Sequence, residues 1–203
     1  MKKHEWDIFV DEKISTLSKR KNVLDVGGGS GFQKGFNKYR PLFSGNYKSF
    51  DMPGMGADIE GDIHNIPIAN ESVDGVICNA VLEHVTDPIR AVDEIYRILG
   101  PGGAAFFQVP SFYPYHGNRG YDGKPAYGDY WRFFRETLEY MFRDFSHVEI
   151  VKQGGYFRAL ALFPPFNFLN SSVLDWLMIR LDKVLRTDKR NSTRGYLVYA
   201  VKK

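Results

Sequence analysis

The stretch that most limits what this chain can fold into is Val23-Leu24-Asp25-Val26-Gly27-Gly28-Gly29-Ser30-Gly31-Phe32. Val23, Leu24 and Val26 form a short apolar run with a single acidic break, as expected of a strand covered on both faces of a parallel sheet. Gly27, Gly29 and Gly31 remove side chains where the backbone must turn sharply and a ligand must come close. A helix is predicted from Phe32 to about Tyr39, with Pro41 stopping it. Its free N–H groups would point back at the turn. Strand, glycine turn and helix together outline a nucleotide-sized site.

The spacing narrows the choice of nucleotide. A phosphate-gripping loop ends in Gly-Lys-Ser/Thr, but here the order is Lys34-Gly35-Phe36. A dinucleotide site wants G-x-G-x-x-G, whereas Phe32 takes the place of the last glycine and Asp25 precedes the turn. An acid there would repel a pyrophosphate but suits a cationic ligand. Downstream, Tyr47 to Phe50 belong to a second strand that starts at Asn46 and ends at Asp51. In a doubly wound sheet the carboxyl ends of neighbouring strands meet, so Asp51 arrives beside the turn. There it can accept from ribose hydroxyls or cap the Met52-Pro53-Gly54 turn. Asp62, before Ile63 and His64, reads equally as a ligand acceptor or a helix N-cap. Ser72 to Asn79 form a further buried strand running into Ala80-Val81-Leu82-Glu83-His84-Val85, and Arg97, Leu99, Pro101, Gly102 and Gly103 spell R-x-L-x-P-G-G.

The D-x-G-x-G-x-G turn, the strand leading into V-L-E-H-V, and the R-x-L-x-P-G-G segment together resemble class I S-adenosylmethionine-dependent methyltransferases over roughly residues 20–110. The resemblance implies an α/β fold: a Rossmann-like, doubly wound, seven-stranded sheet, mostly parallel with an antiparallel last strand, in three α/β/α layers. It implies S-adenosylmethionine as cofactor. Asp25, Gly27, Gly29, Gly31, Asp51, Met52, Asp62, Ile63 and Asn79 would bind it. In that reading Asp51 meets the ribose, Met52 the adenine face, Asp62 and Ile63 the adenine edge, and the Asn79 carbonyl the ammonium.

Composition fits this picture. The 203 residues suit one α/β domain, and 43% hydrophobic content with 15% aromatics is ample for a core. A net charge of +3 neither demands nor excludes nucleic acid. The single cysteine, Cys78, rules out an intramolecular disulfide and points to a reducing, cytoplasmic setting. The charged N-terminus does not read as a signal peptide, and no metal site is expected.

Three further regions complete the reading. Residues 4–20 are predicted as a leading helix with Ile8, Phe9, Ile14 and Leu17 inward, and Asp87–Leu99 as another with Ile89, Val92, Ile95, Tyr96 and Leu99 inward. Residues 111–133 make a loop too long and too aromatic for a plain connection, emerging at the carboxyl edge of the fifth strand, Ala104–Pro110. Tyr113, Tyr115, Tyr130, Trp131 and Arg132 are candidates to bind a ring-bearing polar acceptor. His116, His84 and Asp129 are candidate bases; for His84 a structural hydrogen bond in the Glu-His turn competes with that role. The D-Y-W-R-F run resembles a subgroup of the family in which Thr follows Arg-Phe and caps the next helix. Here Phe134 stands instead. Phe134–Phe145 is predicted as a helix with Leu138, Met141 and Phe142 inward, followed by strands Val148–Val151 and Arg194–Val201.

Between those strands, residues 156–190 read as an insertion. Val173–Arg186 has helical period, with Leu174, Leu177, Leu181, Val184 and Leu185 as its buried stripe. Trp176 and Ile179 fall on the other side. With the Leu160–Leu169 segment they are candidates for a homodimer or membrane-surface contact, or for cover by a loop.

The expected activity is direct methyl transfer to a small-molecule acceptor, a sugar, phenol or similar metabolite. A non-catalytic cofactor-binding protein or partner subunit is the competing reading, and the long acceptor loop favours an enzyme. RNA or protein methylation is less favoured, because Asn79-Ala80-Val81-Leu82 replaces the Asn-Pro-Pro-Tyr type of signature. Lys183, Arg186, Lys189, Arg190 and Arg194 are dispersed and read as solvated.

Overall fold

The structure is a computed structural model that describes residues 3–32, 35–121, 123, 125–164 and 172–203. Seven strands form one sheet in the order β3-β2-β1-β4-β5-β7-β6. They are β1 (Val23–Val26), β2 (Tyr47–Asp51), β3 (Ile59–Glu60), β4 (Val73–Asn79), β5 (Leu99–Pro110), β6 (His147–Lys152) and β7 (Gly195–Val201). The pairs from β3 to β5 are parallel, and β7 runs antiparallel to both of its neighbours, β5 and β6. The chain steps outward from β1 to β3 and then returns to lay β4 on the other side of β1. The resulting switch point opens a crevice beyond the carboxyl ends of β1 and β4.

Alternation along the strands sorts the core into two faces. Leu24, Val26, Val76, Cys78, Ala105, Phe107, Val198 and Ala200 face α2 (Pro88–Ile98) and α3 (Arg135–Met141), meeting Val92, Ile95, Leu138, Met141 and Phe142. Val23, Ile77, Phe106, Leu197 and Tyr199 face α1 (Glu5–Leu17) through Phe9, Ile14 and Leu17. Helices on both faces give the expected three layers. Arg97, on α2, ties down the chain before β4: its guanidinium donates to the carbonyls of Ile66 (2.8 Å) and Ile68 (2.9 Å) and to Asn70 (2.7 Å).

Several expectations are corrected. Residues 33–34 of the predicted post-glycine helix lie outside the described residues. Beyond them the chain forms a 3₁₀ helix, Asn37–Leu42, with Pro41 inside it rather than after it. Ile8 (52% exposed) and Ile89 (37%) point outward, because α1 and α2 each present a narrower face than the apolar pattern suggests. β5 begins at Leu99. Its glycines form an irregularity in which the partner of Val73 is Leu99 and that of Gly75 is Ala104. Arg135 opens α3, and Phe134 at the N-cap offers no side-chain cap.

The insertion holds α4 (Tyr156–Leu160) and α5 (Ser172–Val184), and α5 is rotated from its predicted orientation. Met178, Ile179 and Asp182 are buried, while Trp176, Leu177, Val184 and Leu185 are exposed. The reason is a polar anchor. Asp182 accepts from the backbone N–H groups of Gly155 (3.1 Å), Phe157 (2.9 Å) and Arg158 (3.1 Å), capping α4. This pulls its own side of α5 inward, against the simple apolar stripe. Residues 165–169 of the Leu160–Leu169 segment lie outside the described residues. Among the described residues, no helix is long and apolar enough to cross a membrane.

Candidate active site

The crevice holds a cavity of about 1050 Å³, large enough for a nucleoside cofactor, whose one wall is the glycine turn. Gly27 has φ +77°, and a Cβ there would overlap the Val81 side chain. A non-glycine residue would therefore both strain the turn and push its opposite wall away. Asp51 stands in the same wall, accepting from Gly29 N (2.9 Å) and Met52 N (2.7 Å). It thus caps its turn and faces the cavity at once, with lone pairs left over for hydroxyl donors. Burial raises its pKa. Asp62 accepts from His64 N (2.9 Å), so it caps a short 3₁₀ helix, and it also lines the cavity together with Ile63, Met52, Gly29 and Gly31.

Asp25 lies behind this wall. It is 3% exposed and accepts from the Tyr47 hydroxyl at 2.5 Å. Burial pushes its carboxyl up to about 7. Asn79 is likewise set back, and Ala80 is the residue at the cavity, held at φ +52°. A non-glycine residue in the left-handed region costs about 1–2 kcal/mol and is commonest where a site over-determines the backbone.

The opposite wall is made of side chains. A smaller cavity of about 110 Å³, lined by Glu83, Gln108, Tyr113, His116, Gln153 and Arg194 among others, adjoins the large one; Ala80 and His116 line both. The loop from Ser111 to Phe133 builds this wall. Tyr130 N donates to the Glu83 carbonyl (2.7 Å), Phe133 N to Pro110 O (2.9 Å), and Asn118 pairs with Tyr127. The loop also reaches the far side of the cavity: a Cβ on Gly54 would lie 3.1 Å from Pro125 Cγ. His84 packs edge-on against His116 and Tyr127, each at 4.7 Å between centroids.

Polar contacts fix the histidines. His84 Nδ1 lies 2.6 Å from the Gly128 carbonyl, and His116 Nδ1 lies 3.1 Å from the Pro114 carbonyl. His116 Nε2 is 3.3 Å from Glu83 Oε1, and Glu83 is 1% exposed. The Glu83 contact raises the pKa of His116. Asp129 accepts from His116 N (2.8 Å) and receives the Arg132 guanidinium at 2.5 and 2.7 Å. Burial alone would raise the Asp129 carboxyl, but Arg132 and His116 together outweigh it and hold the group down at about 2.

These positions sort the expected residues. His116, His84, Tyr113 and Tyr130 face one or both cavities. Asp129 has a fully buried side chain behind His116, engaged by Arg132, so it positions His116 rather than facing a ligand. Arg132 spends its donors on Asp129 and on the Tyr113 and Pro114 carbonyls. Trp131 donates from Nε1 to Val85 O (2.8 Å), and Tyr115 is 62% exposed away from both cavities. The structure adds Glu83, Gln108, Gln153 and Arg194. Glu83 sits inside the V-L-E-H-V segment and was findable there. Arg194, read from sequence as solvated, instead lines the small cavity above the Tyr113 ring at 5.4 Å.

Comparison with known proteins decides the family. A family model described as a methyltransferase domain matches residues 3–156. The chain belongs to the class I S-adenosylmethionine-dependent methyltransferases. Among curated relatives of this chain, a malonyl-[acyl-carrier protein] O-methyltransferase of Pectobacterium atrosepticum is 33% identical over 42% of the chain and 37% of that protein. A ubiquinone biosynthesis O-methyltransferase of Pseudomonas entomophila is 31% identical over 50% of the chain and 48% of that protein. The chain thus spans less than half the length of the curated relatives it matches. A solved S-adenosylmethionine-dependent methyltransferase from Archaeoglobus fulgidus shares the fold at TM-score 0.59 and 17% identity, over 97% of this chain and 93% of that one.

Proposed function

We propose that this methyltransferase transfers the methyl group of S-adenosylmethionine to an oxygen of a small-molecule acceptor that carries an acidic group. The observation that carries the reading is the pair of adjoining cavities, one walled by glycine backbone and one by polar side chains, with His116 and Ala80 at both. The large cavity suits the family's cofactor. Its glycine turn, at positive φ at Gly27, Gly29 and Gly31, lines it with backbone rather than side chains, and the buried Asp25 carboxyl behind it suits a cation rather than a phosphate. When bound, that cofactor would supply an electrophilic methyl group on a positively charged sulfur that can leave as a neutral thioether, and a hydroxyl acceptor would give up its proton in exchange for the methyl group.

The chain's own residues then have three tasks. Gly27, Gly29, Gly31, Asp51, Met52, Asp62 and Ile63 hold the nucleoside end. Tyr113, Tyr130 and Tyr127 roof the acceptor and exclude water, which aligns the reacting atoms and accounts for most of what such a site must do. His84 and His116 face the acceptor oxygen, and Arg194 offers a bidentate partner to a carboxylate or phosphate on the same molecule. Two of the relatives are named as O-methyltransferases, which supports oxygen as the acceptor atom.

Calorimetric titration with S-adenosylhomocysteine, followed by an acceptor screen for its release, tests the reading. Binding is expected, and His116→Ala should lower turnover by roughly 10²–10⁴-fold with cofactor affinity unchanged. No binding, or unchanged turnover in His116→Ala, would refute it.

A further inference from the structure

The acceptor wall contains an arrangement that methyl transfer alone does not require. A carbonyl oxygen can only accept, so the Nδ1 atoms of His84 and His116, facing Gly128 O and Pro114 O, must both carry hydrogen. In the neutral rings both Nε2 atoms are therefore bare. Both face the same carboxylate oxygen, Glu83 Oε1, at 3.9 Å from His84 and 3.3 Å from His116. Three lone-pair atoms are thus set against one another in a site where Glu83 is 1% exposed. The second Glu83 oxygen, Oε2, is buried with no hydrogen-bond partner. A buried carboxylate left that way is costly.

A single proton shared across the 3.3 Å contact, on either partner, makes it a hydrogen bond but leaves His84 Nε2, 3.9 Å from the same oxygen, without a donor. A cation among the three groups engages both bare Nε2 atoms and the Glu83 carboxylate at once, and offsets the carboxylate's buried charge. One donor atom from each of the three residues lies within 4.8 Å of the other two. An ion with tetrahedral bonds of about 2.0–2.2 Å spaces its donors about 3.4 Å apart, so His116 and Glu83 at 3.3 Å already fit and His84 must move in toward them. Each imidazole already gives its other N–H to a backbone carbonyl, the second contact that orients metal-ligating histidines.

We propose that Glu83, His84 and His116 form a divalent-cation site of the zinc, cobalt or nickel class. Two imidazoles and one carboxylate suit those ions, whereas magnesium and calcium prefer all-oxygen sites. The ion's remaining positions open toward the acceptor. What it does there rests on the methyl-transfer reading: an acceptor hydroxyl bound to the ion loses its proton to solvent more readily, so no side chain need serve as base. Binding of the ion itself does not depend on that reading.

The test uses the whole chain, stripped with a chelator and dialysed, then titrated with Co²⁺ and with Zn²⁺ by calorimetry and, for Co²⁺, visible absorption. Stoichiometric micromolar binding with a tetrahedral or five-coordinate Co²⁺ spectrum is expected. His84→Gln and His116→Gln should each weaken it by roughly 10–100-fold. His147→Gln, on exposed β6, should not change it, and none of the three should alter affinity for S-adenosylhomocysteine. Absence of stoichiometric binding to the unsubstituted chain overturns the site, a result that needs no variant to fold. Equal affinity in His84→Gln and His116→Gln also overturns it. If no ion binds while His116-dependent methyl release persists, the site falls and the methyl-transfer reading stands. If an ion binds but S-adenosylhomocysteine does not, the reverse holds.

Discussion

The two walls of the cavity are built on different principles. The cofactor wall is backbone: a four-residue strand, a turn of glycines at positive φ, and carboxylates satisfied by N–H groups a few residues away or one strand over. The acceptor wall is side chain: Glu83, His84, His116, Asp129 and Arg132, drawn from two segments that are far apart in sequence and tied to each other by hydrogen bonds. A backbone wall recognises what all members of a family share and tolerates little change at a few positions. A side-chain wall can be rebuilt without disturbing the fold, so acceptor specificity is proposed to lie there.

The sharpest way to break this contrast is Gly27→Val. It forces a branched residue to φ +77° and into Val81. Cofactor affinity should fall by about 100-fold or more, since strain and overpacking together exceed about 2.7 kcal/mol; calorimetry reads it. Arg132→Ala probes the other wall. It leaves the buried Asp129 charge without its bidentate partner and should cost about 2–3 kcal/mol of stability in urea denaturation, discounted because Arg132 is partly exposed. Acceptor turnover should collapse while affinity for S-adenosylhomocysteine stays within about threefold. An equal loss in both would mean that the walls are one cooperative unit.

Smaller effects sharpen the picture. Asp182→Ala removes the acceptor that caps α4 and should cost about 1–2 kcal/mol with no change in cofactor affinity. Asp25 makes a pH prediction. Its folded carboxyl keeps its proton to about 7, whereas the unfolded one loses it near about 4. Its contribution to the stability of the ligand-free protein is therefore full below about pH 4 and is lost as pH rises through 7. A cationic ligand favours the ionised form, so cofactor affinity should rise roughly three- to tenfold between about pH 6 and 8 and stay flat in Asp25→Asn. Trp176→Ser, on the exposed face of α5, should shift stability by under about 0.5 kcal/mol.

The backbone wall was legible because its signals are local. Glycines mark where a Cβ is forbidden, and the apolar run from Val23 to Val26 marks a strand buried on both faces. Sequence therefore located Gly27, Gly29, Gly31, Asp51, Asp62 and Ile63 at one cavity. It did not reveal that Asp25 would sit behind that wall under Tyr47, nor that Ala80 rather than Asn79 would reach the cavity. The aromatic loop was recognisable as more than a plain connection, but not the division of labour inside it. Tyr113, Tyr130 and His116 face cavities, while Trp131, Arg132 and Asp129 hold the loop in place, and periodicity carries no information about which hydrogen bond an irregular segment will choose.

The same distinction runs through the rest of the chain. Apolar runs and glycine placement marked individual strands and the turn, because burial and backbone sterics act between near neighbours, while the sheet as a whole, its layers and a cofactor crevice followed from the family resemblance those motifs carry. Tertiary structure alone decided that α5 turns on a buried aspartate against its apolar stripe, that Arg194 enters the small cavity, and that two histidines and Glu83 converge there. Those arrangements depend on which distant polar groups share one low-dielectric space, and only the folded chain brings them together.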